Sequence, residues 1–187
     1  MSLPVLLSAR LRLEPLGRQH AEGLVALDTD PEVMRYLDPV RDRARVLAAW
    51  EPTISGGPAP GRRYWAGLDG DGDFVGWWGL HSDPDDPGCA EIGYRLRPEH
   101  WGQGYATEGC LTLLRHGFGT LHLRRVWAQT MAVNTGSRRV LERSGLDDEG
   151  TWVQEWADPL PGSELGEVQY GVSREDWLAS RAAGGDC

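Results

Sequence analysis

Residues 91–108 read Glu-Ile-Gly-Tyr-Arg-Leu-Arg-Pro-Glu-His-Trp-Gly-Gln-Gly-Tyr-Ala-Thr-Glu, and this stretch decides the fold. Polar and apolar residues alternate up to Leu96, two glycines follow, and apolar residues then recur at helical spacing. The pattern predicts a strand, a glycine-rich turn and the start of a helix. Gly102 and Gly104 let backbone amides approach a ligand closely, and the helix adds unpaired N–H groups and the positive end of its dipole. The stretch therefore predicts an anion site that suits a pyrophosphate.

Three other interpretations of this stretch compete with the anion site. A Rossmann dinucleotide loop is disfavoured, because Thr107 stands at the third glycine position and no acidic residue ends the strand near Val126–Val133. A Walker-type loop is excluded, because all 19 basic residues are Arg and the loop needs a Lys. A glycine-rich connection that binds nothing remains the open alternative.

Length and composition indicate one domain, which we expect to span residues 1–187 with a flexible tail over 182–187. The net charge of −9 opposes binding to nucleic acid and suits a cationic partner. No apolar run reaches the roughly 18–20 residues of a membrane span, and the N-terminus lacks a signal-peptide pattern. We therefore expect a cytoplasmic protein without a membrane partner. The three cysteines form no C-x-x-C pair, which argues against structural zinc.

The rest of the chain alternates between strand and helix patterns around one sheet, which indicates an α/β fold. The predicted strands cover residues 9–15, 63–68, 74–81, 90–97, 125–133, 150–157 and 167–172. The predicted helices cover residues 17–28, 31–37, 42–54, 104–120, 135–144 and 174–181. The strands at 63–68, 74–81 and 90–97 are joined by Gly- and Pro-containing turns and form an antiparallel meander. We expect their tryptophans, Trp65, Trp77 and Trp78, in the core or the wall of a cleft.

Two motifs resemble those of the GCN5-related N-acetyltransferases. Trp-Gly-Gln-Gly-Tyr-Ala at 101–106 is similar to that family's (Q/R)-x-x-G-x-(G/A) pyrophosphate loop, and residues 134–146 are similar to its N-x-x-S…E-x-x-G-F element. Segments near both ends resemble the branch that contains the ribosomal-protein N-terminal acetyltransferases. The resemblance covers residues 9–178. It implies a GNAT-like α/β fold: a mixed, mostly antiparallel central sheet of about seven strands, flanked by helices, with splayed central strands.

The resemblance also implies an enzyme that transfers the acetyl group of acetyl-CoA, its cosubstrate, to a primary amine without a metal. The amine is either a protein N-terminus or a small cationic amine, and whether two chains form a homodimer is left open. The pantetheine arm would pair with the strand Glu91–Arg97, and a backbone N–H near residues 94–96 would meet the oxyanion. The implied cofactor-binding residues are Tyr94, Arg95, Leu96, Arg97, Trp101, Gly102, Gln103, Gly104, Tyr105, Ala106, Thr107, Asn134, Ser137 and Arg139.

Two positions depart from the family pattern. Trp101 stands where the loop carries Gln or Arg, which keeps the backbone amides but removes a side-chain contact. Leu141 stands where many relatives carry a Tyr that protonates the departing thiolate. The acid is then supplied elsewhere or is dispensable, and a CoA-binding sensor or scaffold with little or no turnover is the alternative function.

Glu91 is the candidate catalytic base. An ammonium with a pKa of about 10 must lose a proton before it attacks. The period of two along a strand places Glu91 on one face together with Gly93, which leaves room for a substrate. The competing interpretation is a cross-strand ion pair between Glu91 and an Arg, and Glu155 is the reserve base.

Asn134 and Ser137 are the candidates at the start of the next helix. Asn134, the single Asn of the chain, is predicted to cap that helix, and the resemblance adds a contact with the pantetheine arm. Ser137 is the second catalytic candidate, and it either bonds the CoA sulfur or faces solvent.

Overall fold

The fold is given by a computed structural model, which describes residues 3–56, 61–156 and 158–184. Within these ranges, eight strands form one sheet in the order β1–β2–β3–β4–β5–β6–β8–β7. The strands are β1 (Leu6–Leu7), β2 (Arg12–Pro15), β3 (Arg62–Leu68), β4 (Phe74–Ser82), β5 (Cys89–Leu96), β6 (Arg125–Met131), β7 (Asp147–Trp152) and β8 (Glu167–Ser173). The helices are α1 (Ala21–Asp28), α2 (Pro31–Met34), α3 (Arg43–Ile54), α4 (Tyr105–Gly119), α5 (Thr135–Arg143) and α6 (Arg174–Gly184).

Antiparallel pairs build most of this sheet. Between β3 and β4 the chain reverses in a tight turn, in which Asp69 N–H donates to Asp73 O at 3.0 Å. Among the described strands, the one parallel pair is β5 with β6, and α4 supplies the long crossover that a parallel connection needs. The predicted mixed, mostly antiparallel sheet is confirmed. It has eight strands rather than about seven, because Leu6–Leu7 adds a short edge strand against β2.

Alternating side chains of the central strands enter two separate cores. Trp78 and Leu80 point to one face, where α4 covers them. Trp77, directly before Trp78 in sequence, points to the other face and packs with Leu24 of α1. Trp65 and Trp78 are fully buried and Trp77 is 8% exposed, so all three tryptophans are core residues, as expected. Helices α1–α3 therefore cover one face of the sheet, and α4–α6 cover the other.

The two parallel strands in the middle of the sheet separate along their length. β5 pairs with β6 only over Cys89–Glu91, opposite Arg125–Trp127. Beyond that point β5 continues to Leu96 and β6 to Met131 without further pairing between them. The predicted splay is confirmed, and it opens a gap between the strands next to the start of α4.

Several boundaries differ from the prediction: α2, for example, ends at Met34 instead of residue 37, and β7 begins at Asp147 instead of residue 150. β7 ends at Trp152, because β8 begins opposite it at Glu167 and leaves residues 153–156 without a partner strand. Helix α6 continues to Gly184, so residues 182–184 are helical where a flexible tail was expected, and residues 185–187 lie outside the described residues. Among the described helices, none is long and apolar enough to cross a membrane.

Candidate active site

The glycine-rich turn after β5 presents open backbone amides. Gly102 has φ 71° and Gly104 has φ 84°, values that favour glycine over any residue with a side chain. Helix α4 begins directly after Gly104, and no side chain caps its first turn. A Cβ at Gly102 would meet nothing within 4 Å, so the turn is open on its outer side. Free amides, open space and a helix dipole together fit the pyrophosphate of CoA.

Arg10 holds this turn from outside. Its Nη1 donates to the carbonyl oxygen of Gln103 at 2.9 Å, and its Nε donates to Glu108 Oε2 at 2.7 Å. Its guanidinium also lies 4.5 Å from the ring centre of Tyr105. Burial raises the pKa of Glu108, but the hydrogen bonds from Ser8 and Arg10 outweigh burial and hold this pKa below its ordinary value. Because Arg10 neutralises the one acidic side chain in the first turn of α4, the helix start remains favourable to an anion.

The edge of β5 that faces the gap is defined by its hydrogen bonds. Arg97 N–H donates to Val75 O on the β4 side, and residues two apart on a strand direct their backbone groups to the same side. Ile92, Tyr94 and Leu96 therefore direct their N–H and C=O groups into the gap. The Nε1–H of Trp101 already occupies Leu96 O at 2.9 Å. Free N–H groups at this edge can pair with an extended ligand and polarise a carbonyl.

Helix α5 borders the gap on the β6 side. Asn134 Oδ1 accepts a hydrogen bond from Ser137 N–H at 3.1 Å, so Asn134 is an N-cap, as predicted. Its amide Nδ2 has no hydrogen-bond partner within the described part of the chain. The hydroxyls of Ser137 and Tyr94 lie 3.0 Å apart. Leu141, one turn further along, is 1% exposed and belongs to the core.

Glu91 lies on the opposite face of β5 from Tyr94. It stands across from His81 of β4, on the face covered by α1–α3. Burial raises the pKa of Glu91 above its ordinary value, and the positive charge of Arg62 partly offsets this. Within the described residues, its carboxylate has no hydrogen bond and no ion pair, so the cross-strand pair with an Arg is not found. A Cβ at Gly93 would contact only the Trp77 ring, at 3.9 Å, which leaves space beside the carboxylate.

The wall beside Glu91 is aromatic. Trp50, Tyr64 and Trp77 pack edge to face, with ring centres 5.1 to 5.6 Å apart. The Tyr64 ring also lies 4.5 Å from the His81 ring, centre to centre, with the two planes tilted by 53°. Burial, together with the charges of two nearby arginines, lowers the pKa of His81 to about 4, so this imidazole is neutral at pH 7. Glu91 thus lies beside an aromatic wall, with no hydrogen bond or ion pair to any residue that the structure describes.

Arg95 does not face the gap, although it was expected among the cofactor-binding residues. Its side chain forms an ion pair with Asp28 at the end of α1. Trp50 Nε1 donates to the same carboxylate at 2.8 Å. The backbone groups of Arg95 face β4, because they alternate with those of Leu96. The signal that the sequence lacked was the position of Asp28, which is 67 residues away along the chain.

The remaining candidates are more exposed. Arg97 pairs with Glu99, whereas Arg139 has no ion-pair partner among the described residues. Glu155, the reserve base, is exposed and lies in the segment after β7 instead of on a strand. With Trp156 and Leu160 it lines an open cavity of about 610 Å³. The described residues contain no cluster of side chains suited to a metal ion.

An uncapped helix start, an unpaired strand edge and a splayed parallel pair thus lie together at the gap between β5 and β6. Residues 10–147 match the family described as Acetyltransferase (GNAT) domain. The chain belongs to this family. It is an acetyltransferase of the kind that takes its acetyl group from acetyl-CoA.

Relatives and solved structures agree with this assignment. The chain is 39% identical over 186 residues to FsC-acetyl coenzyme A-N(2)-transacetylase of Aspergillus fumigatus, covering 94% of this chain and 78% of that protein. It is 39% identical over 85 residues to YdaF of Bacillus subtilis, provisionally assigned as a ribosomal N-acetyltransferase, covering 46% of each chain. The crystal structure of spermidine N-acetyltransferase from Vibrio cholerae in complex with CoA and spermine superposes with a TM-score of 0.77. That match has 20% identity and covers 90% of this chain and 98% of that one, and it shows the shared fold.

Proposed function

We propose that the chain acetylates the amino group of a small molecule, using acetyl-CoA from one face of the sheet and the amine from the other. The observation that carries this is the gap between β5 and β6, which has open amides at the start of α4 and an unpaired carboxylate, Glu91, on the opposite face. Acetyl-CoA supplies the acyl group as a reactive thioester. Everything else is done by side chains and backbone groups of the chain.

Each group has one task in this mechanism. The amides of Gly102 to Thr107 bind the pyrophosphate. The edge of β5 holds the pantetheine arm, and the N–H of Tyr94 polarises the reacting carbonyl. Glu91 accepts the proton that the ammonium must lose, directly or through a water. Asn134 directs its free amide Nδ2 toward the pantetheine arm, and Ser137 donates a hydrogen bond to the departing sulfur.

The relative from Aspergillus fumigatus favours a small molecule as the acceptor. Its name states transfer to an N(2) amine, and the match covers 94% of this chain. The match to the provisionally assigned ribosomal acetyltransferase covers only 46%. We therefore infer a small-molecule acceptor whose reacting amine is of the N(2) kind. A protein N-terminus, which is the acceptor of the ribosomal branch, remains the competing substrate.

A panel of acceptors tests this proposal. Release of CoA thiol from acetyl-CoA would be measured side by side with α-amino acid amides, a polyamine and peptides with free N-termini. We expect the highest kcat/KM with the small α-amines. A preference for peptides would assign the chain to the ribosomal branch, and CoA binding without thiol release for any amine would indicate a sensor.

The role of Glu91 is tested by Glu91→Gln. We expect turnover to fall about 100- to 1000-fold with little change in CoA affinity, because the variant keeps the shape but cannot accept a proton. The matched control is Glu155→Gln, which removes an exposed carboxylate and should retain the full rate.

The pH profile gives a second readout for Glu91. The base must be ionised to act, and burial raises its pKa, so activity should be lost as the pH falls through a value above the ordinary carboxyl range. Glu91→Gln should lack this acidic limb. Full wild-type rate and profile in Glu91→Gln, or a large loss in Glu155→Gln, would place the base elsewhere.

A further inference from the structure

Two hydroxyl groups meet at the side of the gap covered by α4 and α5. Tyr94 comes from β5 and Ser137 from the first turn of α5, 43 residues later. The Tyr94 oxygen lies 3.0 Å from Ser137 Oγ and 3.3 Å from Ser137 O. Both acceptors within reach of the Tyr94 hydroxyl therefore belong to the same residue. Sequence patterns cannot reveal this contact, because it joins two elements that only the crossover through α4 brings together.

Either residue can donate the hydrogen bond between the two hydroxyl oxygens, and when Tyr94 is the donor the hydrogen of Ser137 has no partner among the described residues. Hydroxyls in helices usually donate to the carbonyl four residues earlier, as Ser144 does to Val140 O and Thr112 does to Glu108 O, each at 2.8 Å. Ser137 makes no such bond within the described residues. When Tyr94 donates to Ser137 Oγ, the serine's own hydrogen must point away from Tyr94. The open space next to Ser137 is the gap between β5 and β6.

We propose that Tyr94 is a positioning residue that orients the Ser137 hydroxyl toward the sulfur of the departing CoA. This inference rests on the proposed function of the same site. It assigns the contact with the departing sulfur to the Ser137 hydroxyl, oriented by Tyr94, in place of the Tyr that many relatives carry at the position of Leu141. Because Leu141 is buried in the core, that position offers no hydroxyl here.

The hydrogen bond from Ser137 to the sulfur stabilises the negative charge of the thiolate and transfers no proton. In the reaction the N–C bond forms and the nitrogen passes its second proton to solvent, while the C–S bond breaks and its electron pair goes to sulfur. Burial, together with Cys110 facing it from α4, raises the pKa of Tyr94 far above its ordinary value, although the bond to Ser137 works against this. Tyr94 therefore keeps its proton. A thiol has a pKa of about 8.5, so its thiolate leaves readily when a hydrogen bond from Ser137 meets it.

The experiment is a pH titration of CoA bound to the enzyme, following the ultraviolet absorbance of its thiolate. It needs no acceptor amine and no turnover. We expect the hydrogen-bonded pair to favour the thiolate. Ser137→Ala should lower the ratio of bound thiolate to thiol about 3- to 30-fold, and Tyr94→Phe should lower it about 2- to 10-fold. The double variant should match Ser137→Ala, because Tyr94 acts only through Ser137. The kcat values should fall in the same order, with an unchanged KM for acetyl-CoA.

Tyr170→Phe is the matched control. Tyr170 is also buried, and its hydroxyl binds α5 by accepting from Arg138 Nε at 3.0 Å and donating to Glu142 Oε1 at 2.9 Å. Its removal should lower the melting temperature without changing the thiolate ratio. If Tyr94→Phe proves too unstable to test, Ser137→Thr keeps the hydroxyl and should retain a ratio near that of the wild type.

The outcomes separate this inference from the proposed function. A wild-type enzyme that does not bind CoA would overturn both. If bound CoA has the same thiolate ratio in wild type and in Tyr94→Phe, the role of Tyr94 alone is overturned. The same follows if the effects of the two single substitutions multiply in the double variant. A loss of ratio in Tyr170→Phe equal to that in Tyr94→Phe would show that both tyrosines merely dock α5. Failure of Ser137→Thr to retain the ratio would also contradict the proposal.

Discussion

The two helices that border the gap begin in opposite ways. Helix α5 begins with Asn134, whose side chain occupies the N–H of Ser137 at 3.1 Å. Helix α4 begins with Gly104 in a left-handed conformation, and no side chain occupies its first amides. A side-chain cap typically contributes about 0.5–2 kcal/mol. Helix α4 forgoes this contribution and is stabilised instead by the burial of Cys110, Leu113 and Leu114, each 0% exposed. Helix α4 can therefore begin without a cap because its later residues are well packed, and its first amides stay free for a ligand.

The largest effect is expected from closing the open helix start. Gly104→Val forces a branched side chain into φ 84° and covers the amides, and Ala106→Glu adds a negative charge to the first turn. Both variants should lose CoA binding while keeping the fold, as measured by calorimetry and circular dichroism. Gly119→Ala, at the far end of the same helix and with nothing within 4 Å, is the control and should bind normally. Unchanged CoA affinity in both variants would remove the pyrophosphate from this turn.

An intermediate effect is expected at the capped helix start. Asn134→Ala should weaken CoA binding by about 1–2 kcal/mol and also lower the melting temperature, because it removes both the cap and the free amide. Asn134→Ser restores a capping oxygen but not the amide. If the amide contacts the pantetheine arm, Asn134→Ser should recover the melting temperature but not the affinity. Recovery of both would show that Asn134 acts as a cap alone.

The smallest effect is expected from the external support of α4. Arg10→Ala should weaken CoA binding only about 2- to 5-fold, since exposed ion pairs contribute little and the backbone turn itself remains. The loss should shrink at high salt, where the pair with Glu108 is screened. Arg12→Ala provides the control, because Arg12 pairs with Glu14 and does not touch the turn. An equal loss in both variants would indicate a general charge effect instead of support for Gln103.

Local patterns predicted the elements around the site well. Glycines at 102 and 104 followed by a helical apolar stripe indicated the open turn, and the period of two along β5 placed Glu91 and Tyr94 on opposite faces. The boundary of β7 was less predictable, because a strand ends where its partner ends. The sequence of residues 150–157 does not indicate that the partner strand β8 begins at Glu167.

The sequence by itself determined the order of strands and helices from β2 onward, the open helix start and the two faces of β5. These features depend on residues a few positions apart, for which backbone geometry allows few alternatives. Only the tertiary structure decided that Arg10 supports the α4 turn, that Arg95 pairs with Asp28, and that Tyr94 meets Ser137. These contacts join residues 43 to 98 positions apart. Their partners are selected by sheet register and helix packing, which depend on the whole core at once.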